Sequence, residues 1–242
     1  VPQVKYHQPE TAISGPSCGH RVLVTRVALC HDGAMDAPPA PAHDLPRAPD
    51  PAALREAALA HLARFGTTEH GLRQVLTRRI RRWAQRAAAA GLDEHEAART
   101  IAALMPAIAD IVADMARLGA VNDAAFAQSR TRTLTRSGRS GRAIGAHLAA
   151  RGVSESLRAE ALDARAEGFG GDADLMAALV LARKRRIGPF ARPGTAPRDA
   201  AQDRTRAFGA MARAGFSHDI ASRALGMDPD EAEARVIALK SA

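Results

Sequence analysis

From Asp50 onwards apolar residues return every three or four positions and never alternate, which is the spacing of one helical face. Asp50-Pro51 reads as an N-cap followed by proline at the first helical position. Leu54, Ala58, Leu59 and Leu62 then run down one side. Gly66 ends this helix, and Thr67 or Thr68 can cap a second, whose stripe is Leu72, Val75, Leu76, Ile80 and Trp83. A third begins near Asp93, with Glu96 placed to complete a capping box. Its stripe of Ile101, Leu104, Met105, Ile108, Val112, Met115 and Leu118 is the strongest periodic signal in the chain. Pro106 lies inside it and should kink the helix or divide it, because proline lacks the N–H that the ladder needs. Gly119 stops it. Asp123 can cap a helix through Phe126, Ala127 and Leu134, broken at Ser137-Gly138, and Ser140 can start another carrying Ile144 and Leu148. Residues 168–171 and 188–197 are rich in glycine and proline and read as loops. Asp172 or Asp174 can cap the intervening helix, which carries Leu175, Leu179 and Leu181.

One segment occurs twice. HLAARGVSESLRAEAL (His147 to Leu162) aligns without a gap on AMARAGFSHDIASRAL (Ala210 to Leu225). Gly152 matches Gly215, Val153 matches Phe216, Ser154 matches Ser217, and Leu157 matches Ile220. In each copy the glycine suits the left-handed residue past a helix end. The next residue is an apolar plug, and the serine caps a new helix. Such matched units imply tandem helical modules, each too small to bury its own face alone.

Residues 1–49 follow no such pattern. They carry Pro2, Pro9, Pro16, Pro38, Pro39, Pro41, Pro46 and Pro49, their charges nearly cancel, and they are expected to be disordered. Met35 is a plausible alternative start, in which case both cysteines precede the protein.

Composition strengthens the helical reading. Aromatic residues make up 3% of the chain and alanine supplies much of the apolar count; alanine is the best helix former and a poor strand former. No apolar run approaches a membrane span and the start lacks a clear signal peptide, so a cytoplasmic protein is expected. The formal net charge of +8 favours polyanionic partners.

That charge is concentrated. Arg78, Arg79, Arg81 and Arg82 form one cluster; Arg130, Arg132, Arg136, Arg139 and Arg142 a second; Arg183, Lys184, Arg185 and Arg186 a third. Each is expected at about the same place in its module, and none contains matching acids. Planar guanidinium donors suit phosphates and carboxylates, so these are the candidate partner- and nucleic-acid-binding residues. A solvated face is the bland alternative. Catalysis finds little support: the histidines are dispersed, and no metalloprotease, nucleophile-elbow, P-loop or dinucleotide fingerprint is present. Cys18, His20, Cys30 and His31 are residue types a zinc site uses, but their spacing matches no strong pattern. No metal, cofactor or catalytic residue is expected. Packing is the expected role of Phe126, Phe208 and Phe216.

From about Pro51 onwards the chain resembles the RecX family, regulators of the recombinase RecA. RLGAVNDAAFAQSR (Arg117 to Arg130) looks like the family's junction of Leu-Gly, then Asp, then Phe or Tyr before Ala. Asp123 and Phe126 carry it here, although the family often has a second acid where this chain has Asn122. GRSGRAIGAHLAARGVS (Gly138 to Ser154) and MARAGFSHDIASRAL (Met211 to Leu225) add to the likeness. HLARFGTTEHGLRQVLTRRIRRWA (His61 to Ala84) is similar to the alphaproteobacterial variety, with Arg86 to Ala109 as extra sequence. The resemblance implies an all-α fold of three tandem three-helix modules in a curved, elongated array. It also implies binding within the groove of the RecA–DNA filament, with damping of ATPase and strand exchange. The expected organisation is a disordered extension over 1–49 and helical modules over 50–120, 121–167 and 172–242. The expected function is a non-enzymatic, cytoplasmic, monomeric regulator of recombination with weak, nonspecific affinity for DNA. A helix-turn-helix transcriptional regulator and a general helical-repeat scaffold are the rivals from other classes.

Overall fold

The computed structural model describes residues 45–191 and 200–241. The expectations for residues 1–44, with Met35 and the Cys18, His20, Cys30 and His31 set, lie outside the described residues. Among the described residues the chain is all-α, ten helices and one short 3-10 turn without a strand. They are α1 (Pro51–Leu62), α2 (Glu69–Ala89), α3 (Glu94–Arg117), α4 (Asp123–Arg136) and α5 (Gly141–Ala150). After them come α6 (Glu155–Gly168), α7 (Ala173–Arg185), the turn Gly188–Phe190, α8 (Ala200–Arg213), α9 (His218–Leu225) and α10 (Pro229–Ser241).

Short polar side chains start most of these helices by accepting a backbone N–H that has no partner within the helix. Asp50 does so for α1, Thr68 for α2, Asp93 for α3, Ser140 for α5, Ser154 for α6 and Ser217 for α9. Two expectations about caps are corrected. Asn122 rather than Asp123 caps α4, accepting from Ala125 N–H at 2.9 Å, which releases the Asp123 carboxylate for a longer-range bond. Neither Asp172 nor Asp174 caps α7, because both carboxylates are engaged elsewhere: Asp172 by Arg223 at 3.0 Å, Asp174 by Arg165 at 2.8 Å. Helix α3 is not divided at Pro106. Pro106 and Ala102, one turn back, are both exposed, so the missing ladder bond falls on the outer side.

Three separate cores form in chain order. Leu54, Leu72, Leu76, Ile80, Trp83, Ile108, Val112 and Met115 are buried among α1, α2 and α3. Ala127, Ile144, Leu148, Val153 and Ala161 are buried among α4, α5 and α6. Leu175, Leu179, Met211, Phe216, Val236 and Leu239 are buried among α7 to α10. The stripes are narrower than their spacing suggests. Leu59, Met105 and Leu118 are 51%, 37% and 68% exposed. Leu59 and Met105 follow Ala58 and Leu104, and one step along a helix is a turn of about 100°, which takes them off the inner face. At the end of α3 the buried plug is Val121, two residues beyond Gly119 in its left-handed conformation.

The same joint links the first group to the second and the second to the third. Thr68 Oγ1 accepts Gly71 N–H as the cap of α2 and donates to Arg151 O at the end of α5, at 2.7 Å. Ser140 Oγ accepts Ala143 N–H as the cap of α5 and donates to Ala214 O at the end of α8, at 2.8 Å. The next N–H is taken by a carboxylate from the following group: Glu69 N by Asp123 at 2.9 Å, Gly141 N by Asp174 at 2.8 Å. Gly152 and Gly215, at φ +77 and +86, let the two backbones close up. A Cβ on Gly152 would lie 2.3 Å from His70 Cβ, and one on Gly215 would lie 2.7 Å from Ser140 Oγ. Only a hydroxyl can accept and donate from one atom in this way, hence Thr and Ser at both joints. The second joint carries an extra brace, Arg165, which bonds Thr135 Oγ1 at 2.7 Å and Asp174 at 2.8 Å.

Candidate polyanion-binding surface

The first arginine cluster is displayed by α2, whose inner stripe is fixed in the first core. Arg78, Arg79, Arg81 and Arg82 are all exposed, and none forms an ion pair with a described residue. They stand in two rows. Arg78 and Arg81 share one row; Arg79 and Arg82 share the other, which Arg86 continues one turn on. That second row borders a cleft of about 490 Å³ closed by Arg47, Ala48, Pro49 and Asp50. Residues 45–49, assigned to the disordered segment on their prolines, lie across Trp83, whose indole N–H donates to Pro46 O at 2.7 Å. Arg79, whose spacing places it at the border of the core, is exposed and lines this cleft beside Trp83. Sequence reasoning missed Arg47 and Arg86. Arg86 was accessible through its spacing from Arg79 and Arg82; Arg47 was hidden among prolines.

The second cluster spans the end of α4 and the start of α5. Arg132, Arg136, Arg139 and Arg142 are exposed, whereas Arg130 is half-buried and directs Nε to His147 Nε2 at 3.4 Å. Burial first, then the charges of Arg130, Arg151 and Arg139, lower the His147 pKa below the usual imidazole value. A permanently charged guanidinium donating to Nε2 requires a neutral ring with its proton on Nδ1. Arg151 thus belongs to this group, although it stands outside the sequence cluster. Arg142 also flanks the second joint, beside Gly215.

The third cluster is divided in its work. Arg183 pairs with Glu233 of α10 at 2.9 Å, and Lys184 donates to Ser137 O, just past α4, at 2.7 Å. Those two side chains hold helices together, which the distance in sequence to Glu233 and Ser137 concealed. Arg185 and Arg186 are exposed and line a second cleft. The three clusters do not occupy equivalent places: the first lies on the second helix of its group, the third ends the first helix of its group.

The residues singled out as structural are accounted for. Asp123 and the two glycines build the joints, Ser154 and Ser217 cap α6 and α9, and Val153 and Phe216 are 4% and 5% exposed plugs. Phe126 and Phe208 are half-buried against their cores. Thr68 and Ser140, read from the sequence only as caps, and Asp174, read as a cap for its own helix, have equal structural weight through their long-range bonds, and Arg165 was not singled out at all. The exposed guanidiniums of the first two clusters present planar, charged donors that form no ion pair with a described carboxylate, an arrangement suited to phosphate or carboxylate acceptors. No helix among the described residues is long and apolar enough to cross a membrane.

Residues 122–162, which span α4, α5 and most of α6, match the pattern described as "RecX, second three-helix domain". The chain is 37% identical over 186 residues to "Regulatory protein RecX" of Myxococcus xanthus (strain DK1622), covering 76% of this chain and 90% of that protein. It is 34% identical over 114 residues to "Regulatory protein RecX" of Agrobacterium fabrum (strain C58 / ATCC 33970), covering 47% of this chain and 56% of that one. No solved structure matches it.

Proposed function

The chain belongs to the RecX family of regulatory proteins, and on that premise we propose that it binds the recombinase RecA and the filament RecA forms on DNA. Binding damps ATP hydrolysis and strand exchange, without catalysis by this chain. The observation that carries the reading is the row of exposed arginines on α2, free of ion pairs with described residues, backed by Arg132, Arg136 and Arg139 on the next group. Guanidiniums aimed at phosphates release counterions on binding. No described helix gathers all the basic residues as a recognition helix would. Affinity for DNA alone should therefore be weak, insensitive to sequence and steeply salt-dependent. The protein acts as a monomer in the cytoplasm.

The test is RecA-dependent ATP hydrolysis on single-stranded DNA with parent and variant proteins. The triple variant Arg78→Glu, Arg79→Glu, Arg82→Glu should lose inhibition, because attraction at a polyanion-facing surface becomes repulsion, at a cost of several kcal/mol of binding. Its helical signal should be unchanged, since exposed substitutions usually move stability by about 0.5 kcal/mol or less. The matching variant at Arg132, Arg136 and Arg139 should act in the same direction. Two folded variants that suppress RecA as the parent does would reduce both clusters to solvated faces.

A further inference from the structure

A cleft of about 1050 Å³ opens where the end of α7, the Gly188–Phe190 turn, α8 and α9 meet. Its floor is aliphatic: Ile187, Ala207, Ala210 and Leu225. Its rim is basic: among the described residues that line it, Arg185, Arg186, Arg204, Arg206 and Arg213 are set against one acid, Asp203, which pairs with Arg206 at 3.3 Å. Arg186 adds an independent observation. It ends α7 at φ 55, ψ 50, and among the described residues it alone has a left-handed backbone without being glycine. Glycine or asparagine would serve there with less strain. The turn that follows is tightly packed: Gly188 is pressed so closely on α9 that a Cβ would lie 2.9 Å from Leu225 Cα. A strained arginine fixed at the mouth of a basic cleft points to a task for its side chain.

We infer that this cleft docks an acidic segment of a partner protein, with a bulky apolar side chain seated on the floor and carboxylates against the rim. The inference goes beyond the RecA reading and does not depend on it. The floor decides between peptide and nucleic acid. A phosphate chain gains nothing from aliphatic walls, and sites for single strands combine their basic groove with open aromatic faces on which bases stack. Among the described residues that line the cleft one is aromatic, Phe208, and it already stacks on His218 at 5.0 Å and carries the Arg204 guanidinium 5.7 Å from its centroid. An apolar anchor flanked by Asp or Glu uses floor and rim together.

The experiment is fluorescence anisotropy of the full chain with a labelled peptide of alternating Asp or Glu with Leu and Phe. Three controls accompany it: the same peptide with Asn and Gln for the acids, the same with Ala for Leu and Phe, and a labelled oligothymidylate. Both altered peptides should bind about tenfold more weakly or worse. Arg186→Gly should unfold at a higher temperature, having shed backbone strain, yet bind the acidic peptide several-fold more weakly. A residue with a merely structural role would not move those two readouts in opposite directions. Arg185→Glu with Arg213→Glu should abolish peptide binding. Unchanged peptide affinity in these variants, or equal affinity for all three peptides, would overturn the inference. So would variants that lose only the oligothymidylate, which would make the cleft a nucleic-acid site.

Discussion

At Gly152 two demands fall on one residue: a backbone at φ +77 and a neighbour, His70, where a Cβ would stand. Gly171 shares the first demand, at φ +81, but has nothing within 4 Å. Gly171→Ala should therefore cost only the left-handed conformation, about 1–2 kcal/mol. Gly152→Ala should add displacement at the joint and cost about 3 kcal/mol or more in urea unfolding. Equal losses would mean that the close approach carries no weight. His147 offers a second residue-scale measurement. Its folded pKa lies below 6.5, burial being the larger cause and the surrounding arginines the next. The unfolded chain therefore takes up a proton first as pH falls. The stability tied to His147 is fully present above about pH 6.5 and is lost as pH drops from there towards the folded value. His147→Gln should flatten that dependence, read as the shift in urea midpoint between about pH 7.5 and 5.5. A parent protein equally stable at both would show that the imidazole is indifferent to its setting.

Among the helices, α3 carries an avoidable defect. Pro106 withholds a ladder bond in the interior of a continuous helix, and its side chain is exposed. Pro106→Ala should restore that bond without disturbing the core and raise stability by up to about 3 kcal/mol. A fall in the thermal midpoint would mean that the proline is needed for the path of α3. What was legible in the sequence at this scale was local: caps, plugs and stop signals act within a few residues, so Thr68, Ser140, Gly152, Val153 and Phe216 announce themselves. Bonds that cross from one group to the next were not legible. The Thr68 hydroxyl meets a carbonyl 83 residues away, and Lys184 one 47 residues away. Local spacing carries no trace of such pairings. Asp123 shows the limit well: its position invited a cap for its own helix, and only the three-dimensional arrangement assigns it to α2.

Across the whole described chain, the exposed arginines are shared among successive groups of helices, so under the proposed function the grip on a partner would be distributed, each group contributing in parallel. The repeated joint gives this arrangement a further property, that of interchangeable parts. Thr68 with Glu69 offers the following group the same fitting that Ser140 with Gly141 offers, and Asp123 with Gly152 is the counterpart of Asp174 with Gly215. Excising residues 123–173 would join Asn122 directly to Asp174 and present the fitting of the last group to the socket of the first. Such a shortened chain should fold with a single cooperative melt and lose that cooperativity on Thr68→Ala; two independent melts would show that the sockets are not equivalent. A fitting used twice allows a lineage to lengthen or shorten its reach by whole groups of helices, through duplication or loss of one gene segment, without inventing a new contact.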